Sequence, residues 1–115
     1  MDGVAPERFE ELVGEALDEL PPELLRAMDN VVVLVEPRDP TDPELLGLYE
    51  GVALTERTSD YDGVLPDRIT LYRDALVALC ADEDELRDEV AITVVHEIAH
   101  HVGIDEETLH RYGWG

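Results

Sequence analysis

Residues 84–102 constrain the fold most. Leu86, Val90, Val94, Ile98 and Val102 recur at every fourth position, and Ala91 and Val95 widen the stripe. That period puts an apolar band along one side of a long α-helix, which needs a facing layer to cover it. Asp82, with Glu85 three residues on, predicts a capping box at the start. Gly103 predicts the stop, because glycine readily takes positive φ just past a helix C-terminus.

The remaining segments are shorter. In residues 6–20, Phe9, Leu12, Val13, Ala16, Leu17 and Leu20 follow helical spacing with acids between them, which predicts a packing helix. Pro21-Pro22 breaks it and opens a second short helix, with Leu24, Leu25 and Met28 expected on one side. The uninterrupted aliphatic run at 31–35 predicts a buried strand. Three prolines between 37 and 43 predict a loop. Residues 45–54 read as a strand interrupted by Gly47 and Gly51, where a bulge or tight bend is expected.

Residues 58–66 read as another loop. Its Asp60-Tyr61-Asp62-Gly63 lacks the later positions of a calcium loop and is taken as a turn. From Arg68 to Arg73, Ile69 and Leu71 alternate with Thr70 and Tyr72, the period of a half-exposed strand. The flanking arginines and Asp67 suit a sheet edge. Residues 74–80 are apolar and fit either a short helix or a buried crossover. A final short helix is expected at 105–111.

Length and charge bound the function. The chain has 115 residues, which suits one compact domain spanning 1–115. No apolar run approaches the roughly 18 residues of a bilayer span, and the acidic N-terminus lacks the pattern of a secretory signal. Cys80, the single cysteine, cannot form an internal disulfide, so a cytoplasmic location is expected. Every basic residue is Arg, and the formal net charge is −21. Such a surface repels phosphate backbones, so neither nucleic acid nor a membrane is expected as partner. The oligomeric state is left open.

Chemistry concentrates within the long helix, at His96-Glu97-Ile98-Ala99-His100. Two histidines four apart lie on nearly the same side of a helix, about one 5.4 Å turn from each other. Both imidazoles can then reach one Zn²⁺ at about 2.0–2.1 Å. Glu97 projects to one side of that pair, where it can take a proton from a metal-activated water. His101 points about 100° away from His100 and is expected not to ligate. Hydrolytic zinc sites usually take three protein ligands. Few residues follow His100, so the third should be local: Glu106, with His110 as an alternative ligand or as its hydrogen-bonding partner. Tyr72 or Tyr112 is a candidate donor to a developing oxyanion. Ser59, the lone serine, sits in a loop, and Cys80 in an apolar run, so neither is expected as a nucleophile.

The run Thr93-Val94-Val95-His96-Glu97-Ile98-Ala99-His100-His101-Val102-Gly103-Ile104, continuing through Leu109-His110, resembles the small prokaryotic zinc metallopeptidases known as minimal zincins. The strand Arg68-Ile69-Thr70-Leu71-Tyr72-Arg73 is similar to that family too. With the chain length and the acidic first helix, the likeness covers nearly the whole sequence. It implies an α+β, zincin-like core, in which a small mixed sheet packs on the long active-site helix, with N-terminal helices and a short C-terminal one. It also implies metal held by His96 and His100 and Glu97 as base. Metzincins carry His at the third-ligand position and some small relatives Asp, whereas this chain has Glu106. No Met follows Met28, so the methionine turn of metzincins proper is missing.

The leading functional reading is therefore a zinc-dependent peptidase. A peptide or protein substrate is expected to lie extended along the strand at 68–73. The alternative is a non-catalytic metal-binding or regulatory domain that keeps the zincin shape. A purely structural zinc site fits less well, since such sites usually close with four ligands rich in Cys.

Overall fold

The computed structural model describes residues 4–29, 31–51, 67–102, 107 and 111. Helix α1 covers Pro6–Asp18, with Pro6 at its first position, where a missing N–H costs nothing. Its buried residues Phe9, Leu12, Val13 and Ala16 form the expected stripe. Pro21 ends that register, and α2 covers Pro22–Ala27. Leu24 is buried, but Leu25 is 43% exposed. Neighbouring helix positions diverge by about 100°, so Leu24 and Leu25 cannot share one side.

Three strands follow: β1 (Val31–Glu36), β2 (Gly47–Glu50) and β3 (Asp67–Tyr72). They form a mixed sheet in the order β1-β3-β2, with β1 parallel and β2 antiparallel to β3. Helix α3 (Arg73–Leu79) resolves the ambiguity at 74–80 in favour of a helix. Helix α4 covers Glu83–Val102. The molecule is thus α+β, with α4 packed against α1 and against β2.

Two strand expectations are corrected. The segment at 68–73 is the central strand, not an edge, and Ile69, Thr70, Leu71 and Tyr72 are all buried. Of its two polar positions, Tyr72 is covered with a tertiary partner for its hydroxyl. The Tyr72 hydroxyl donates to Asp39 Oδ2 at 3.1 Å, and burial followed by that bond raises its pKa. Conversely, the aliphatic run at 31–35 is half-exposed. β1 is an edge strand among the described residues, and its alternate side chains Val32 and Leu34 stand about 40% and 41% exposed.

The proline-rich stretch before β2 is folded by one side chain. Asp39 Oδ1 accepts the backbone N–H groups of Thr41 and Asp42 at 2.7 and 2.8 Å, which holds its carboxyl below the usual carboxylate range. Arg38 Nη1 donates to the Pro43 carbonyl at 2.7 Å. This loop delivers the chain to β2.

Phe9, Leu12, Leu71, Leu76, Leu86, Val90, Val94 and Ile98 are wholly buried at the centre of the core. Cys80 is buried beside them, its thiol pushed up to about 11 by desolvation and nearby carboxylates, which disfavours the thiolate. No described helix is long and apolar enough to cross a membrane. The turn at 60–63, Ser59, the end of the expected strand at 45–54 and most of the expected helix at 105–111 lie outside the described residues.

Candidate metal and active centre

Helix α4 carries the site, and its start is fixed as the sequence predicts. Glu85 N–H donates to Asp82 Oδ1 at 2.8 Å, and Glu85 Oε2 accepts from Ala81 N–H at 3.1 Å. The reciprocal bond reaches Ala81, one residue earlier than in the usual capping box. Two salt-bridging arginines brace the same end. Arg8 donates from Nε and Nη2 to Glu83 at 3.1 and 3.0 Å, and Arg87 Nη1 lies 3.0 Å from Asp84.

At the other end the helix turns a different flank to β2. Thr93, Glu97 and His101 are spaced four apart, about 6 Å of rise per step. They meet Gly47, Tyr49 and Gly51, spaced two apart on extended chain, about 6.6 Å per step. A Cβ added at Gly47 would lie 2.7 Å from Thr93 Cγ2, and one at Gly51 would lie 3.1 Å from His101 Cε1. The glycines therefore answer to close approach of the helix, and at Gly47 the strand keeps a one-to-one register without a bulge.

Between these contacts, Tyr49 N–H donates to Glu97 Oε1 at 3.0 Å. Leu46 carbonyl accepts from Tyr72 N–H at 3.0 Å, so alternation along β2 turns the Tyr49 amide away from β3. The acid expected to serve as base is thus tied to the outer edge of the sheet, and it is half-buried. His96 and His100 are exposed on the adjoining side of the helix.

A cleft of about 360 Å³ opens beside His96 and Glu97. Leu45, Leu46 and Gly47 line it from the strand side and Ile92, Thr93, His96 and Glu97 from the helix. Asp42, Glu44 and Glu89 add carboxylates.

The donor set accounts for part of a metal's coordination sphere. His96 and His100 are one turn apart on an exposed flank, so imidazole nitrogens can converge on a cation without unfolding the helix. Among the described residues no group of three or more His, Cys, Asp or Glu side chains forms a metal site. Glu106 and His110, the expected third ligands, lie outside the described residues. Two donors are thus placed one turn apart, short of the three protein ligands that a hydrolytic zinc site usually takes.

Other expectations fare differently. Tyr72 is committed to Asp39 and buried, so it is not placed as an oxyanion donor. Tyr112 lies outside the described residues. Sequence reasoning missed Tyr49 and Asp67 as members of the site. The Tyr49 hydroxyl donates to Asp67 Oδ2 at 2.8 Å, and its ring stacks on His101. The only sequence trace of this contact was the pair of glycines flanking Leu48-Tyr49-Glu50.

An α+β core with paired histidines and a glutamate on one helix defines a class, and the chain falls within it. It belongs to the zincin-like metallopeptidases, whose family model matches residues 28–114. Membership implies zinc binding in general. Among solved structures, the fold is similar to that of a conserved hypothetical protein from T. thermophilus. The two are 25% identical, the TM-score is 0.59, and the match covers 86% of this chain and 94% of the other. No curated protein matches the chain.

Proposed function

We propose that the chain acts as a single minimal domain that hydrolyses peptide bonds with zinc, with Glu97 as general base. His96 and His100 would hold the metal, with Glu106, or else His110, as third protein ligand. The observation that carries this reading is the placement of Glu97. Its Oε1 is tied to the Tyr49 amide, and it lines a cleft together with His96, one turn before the equally exposed His100.

Zinc bound there supplies the positive charge that acidifies water and polarises a carbonyl. The chain's own residues do the rest. With Oε1 held by the amide, Glu97 presents Oε2 to take a proton from water as it attacks the scissile carbonyl. The same carboxyl then returns that proton to the leaving amine. Ordering by the Tyr49 bond removes rotamer freedom that this transfer would otherwise have to overcome. A peptide substrate would lie in the cleft beside Leu45 and Leu46, because β3 is paired on both sides and the outer side of β2 is taken by α4. The strongly acidic surface argues against nucleic acid as partner, and a single cysteine is in keeping with a cytoplasmic protein.

Incubating the purified chain with a peptide mixture, with and without zinc and chelator, tests the proposal. Wild type should cleave only with zinc, Glu97→Gln should bind zinc without cleaving, and His96→Ala should lose both. Full turnover by Glu97→Gln would sink the assigned role. Zinc content of Glu106→Ala and His110→Ala identifies the third ligand, the variant that loses metal marking it.

A second reading is a non-catalytic zinc-holding domain. It draws on the same bond, since a carboxylate already engaged by a strand amide also works as a clasp between α4 and β2. Chelator-sensitive unfolding without turnover would favour it.

A further inference from the structure

Glu97 and His101, one turn apart, grip the same residue of β2. Glu97 takes the Tyr49 backbone N–H. His101 takes the Tyr49 ring, with centroids 3.9 Å apart and planes inclined by 20°. From the other direction Asp67, at the start of the central strand, accepts the Tyr49 hydroxyl at 2.8 Å, and its Oδ2 lies 3.8 Å from His101 Nε2.

Geometry makes this grip consequential. β2 is only four residues long and is an edge among the described residues. Short edge strands open easily, because few bonds hold each amide in place. A glutamate ordered by one such amide is no better fixed than the amide itself. The ring stack and the hydroxyl bond fix Tyr49 at its side chain, while the strand pairing of its neighbours with β3 holds the backbone on either side. Gly51 supplies the space, since a Cβ there would crowd His101 Cε1 at 3.1 Å.

We propose that His101 is a positioning residue: by holding the Tyr49 ring beside Asp67, it fixes the Tyr49 amide under the Glu97 carboxylate and so orients the base. The last step rests on the reading of Glu97 as base; the clamp itself does not. Stacking on Tyr49 also explains why His101, adjacent to a proposed ligand, serves the strand instead of the metal.

The test is amide exchange of the full-length ¹⁵N-labelled chain, read at Tyr49, together with zinc content and steady-state kinetics. In His101→Ala the Tyr49 amide should exchange about tenfold faster or more. Its kcat should fall about tenfold while KM stays within about twofold, because orientation is lost and not binding. Zinc content should not change. His101→Phe restores a ring to the stack and should recover amide protection and most of the lost kcat. If the alanine variant does not fold, His101→Asn, which lacks a six-electron ring but stays polar, takes its place.

Wild-type protection at Tyr49 in the ringless variant would overturn the proposal. So would zinc loss from that variant, which would make His101 a ligand, or a Phe variant as impaired as Ala. Exchange is measured without substrate, so the clamp is decided even if wild type cleaves no peptide. That outcome would remove the hydrolytic reading alone.

Discussion

The two ends of α4 are held by different means. The first half packs Leu86 and Val90 into the core, and its acids pair with arginines, Arg8 of α1 reaching Glu83 and Arg87 reaching Asp84. The second half keeps its apolar stripe through Val94 and Ile98, but adds a polar flank that meets a backbone edge. There Glu97 accepts an amide, Thr93 meets a bare glycine and His101 stacks on a tyrosine. Apolar burial is strong and indifferent to direction, so the first half secures the fold. Hydrogen bonding and stacking are weaker and directional, so the second half sets where one carboxylate points.

This contrast breaks if substitutions in the two halves have the same consequences. The largest effect should come from Glu97→Gln, with kcat down about 10²–10⁴-fold and little change in Tm. Kinetics with parallel thermal melts check it, and a large loss of Tm would move Glu97 to the stabilising half. Next is Leu86→Ala, which should cost about 2–5 kcal/mol in denaturant unfolding and leave zinc content intact. A smaller change is expected from Gly47→Ala. Its Cβ would fall 2.7 Å from Thr93 Cγ2, costing about 1–3 kcal/mol by overpacking and lowering kcat as β2 is pushed off the helix. Unfolding curves and kinetics of that one variant sharpen the comparison, since it alone should affect both. The smallest is Arg8→Met, a slight loss of Tm that high salt erases, because the Arg8–Glu83 pair is exposed to solvent. A salt-independent loss would assign that pair a larger share of stability.

Much of α4 was legible because helical period and capping are local. Leu86, Val90, Val94 and Ile98 are buried, Asp82 caps the start, and the side-by-side placement of His96, Glu97 and His100 follows from 3.6 residues per turn. The strands were less legible for a physical reason. Alternation says which side chains are polar, not whether they find partners. Thr70 and Tyr72 looked solvent-facing yet are buried, Tyr72 through a bond to Asp39 thirty-three positions away. Val32 and Leu34 looked buried yet stand exposed on β1, an edge strand among the described residues. Tyr49 and Asp67 escaped notice as site residues, because nothing in local spacing links them to Glu97 and His101. Only the fold brings them together, and Gly47 and Gly51 were its single visible consequence.

The proposed centre stands on two imidazoles gripping one metal beside a fixed carboxylate. Zinc stoichiometry of the purified chain, dialysed after loading and compared with His96→Ala and His100→Ala, tests that directly. The expected result is one zinc per wild-type chain and none in either variant. A wild-type chain that emerges without zinc, or variants that keep it in full, would contradict it.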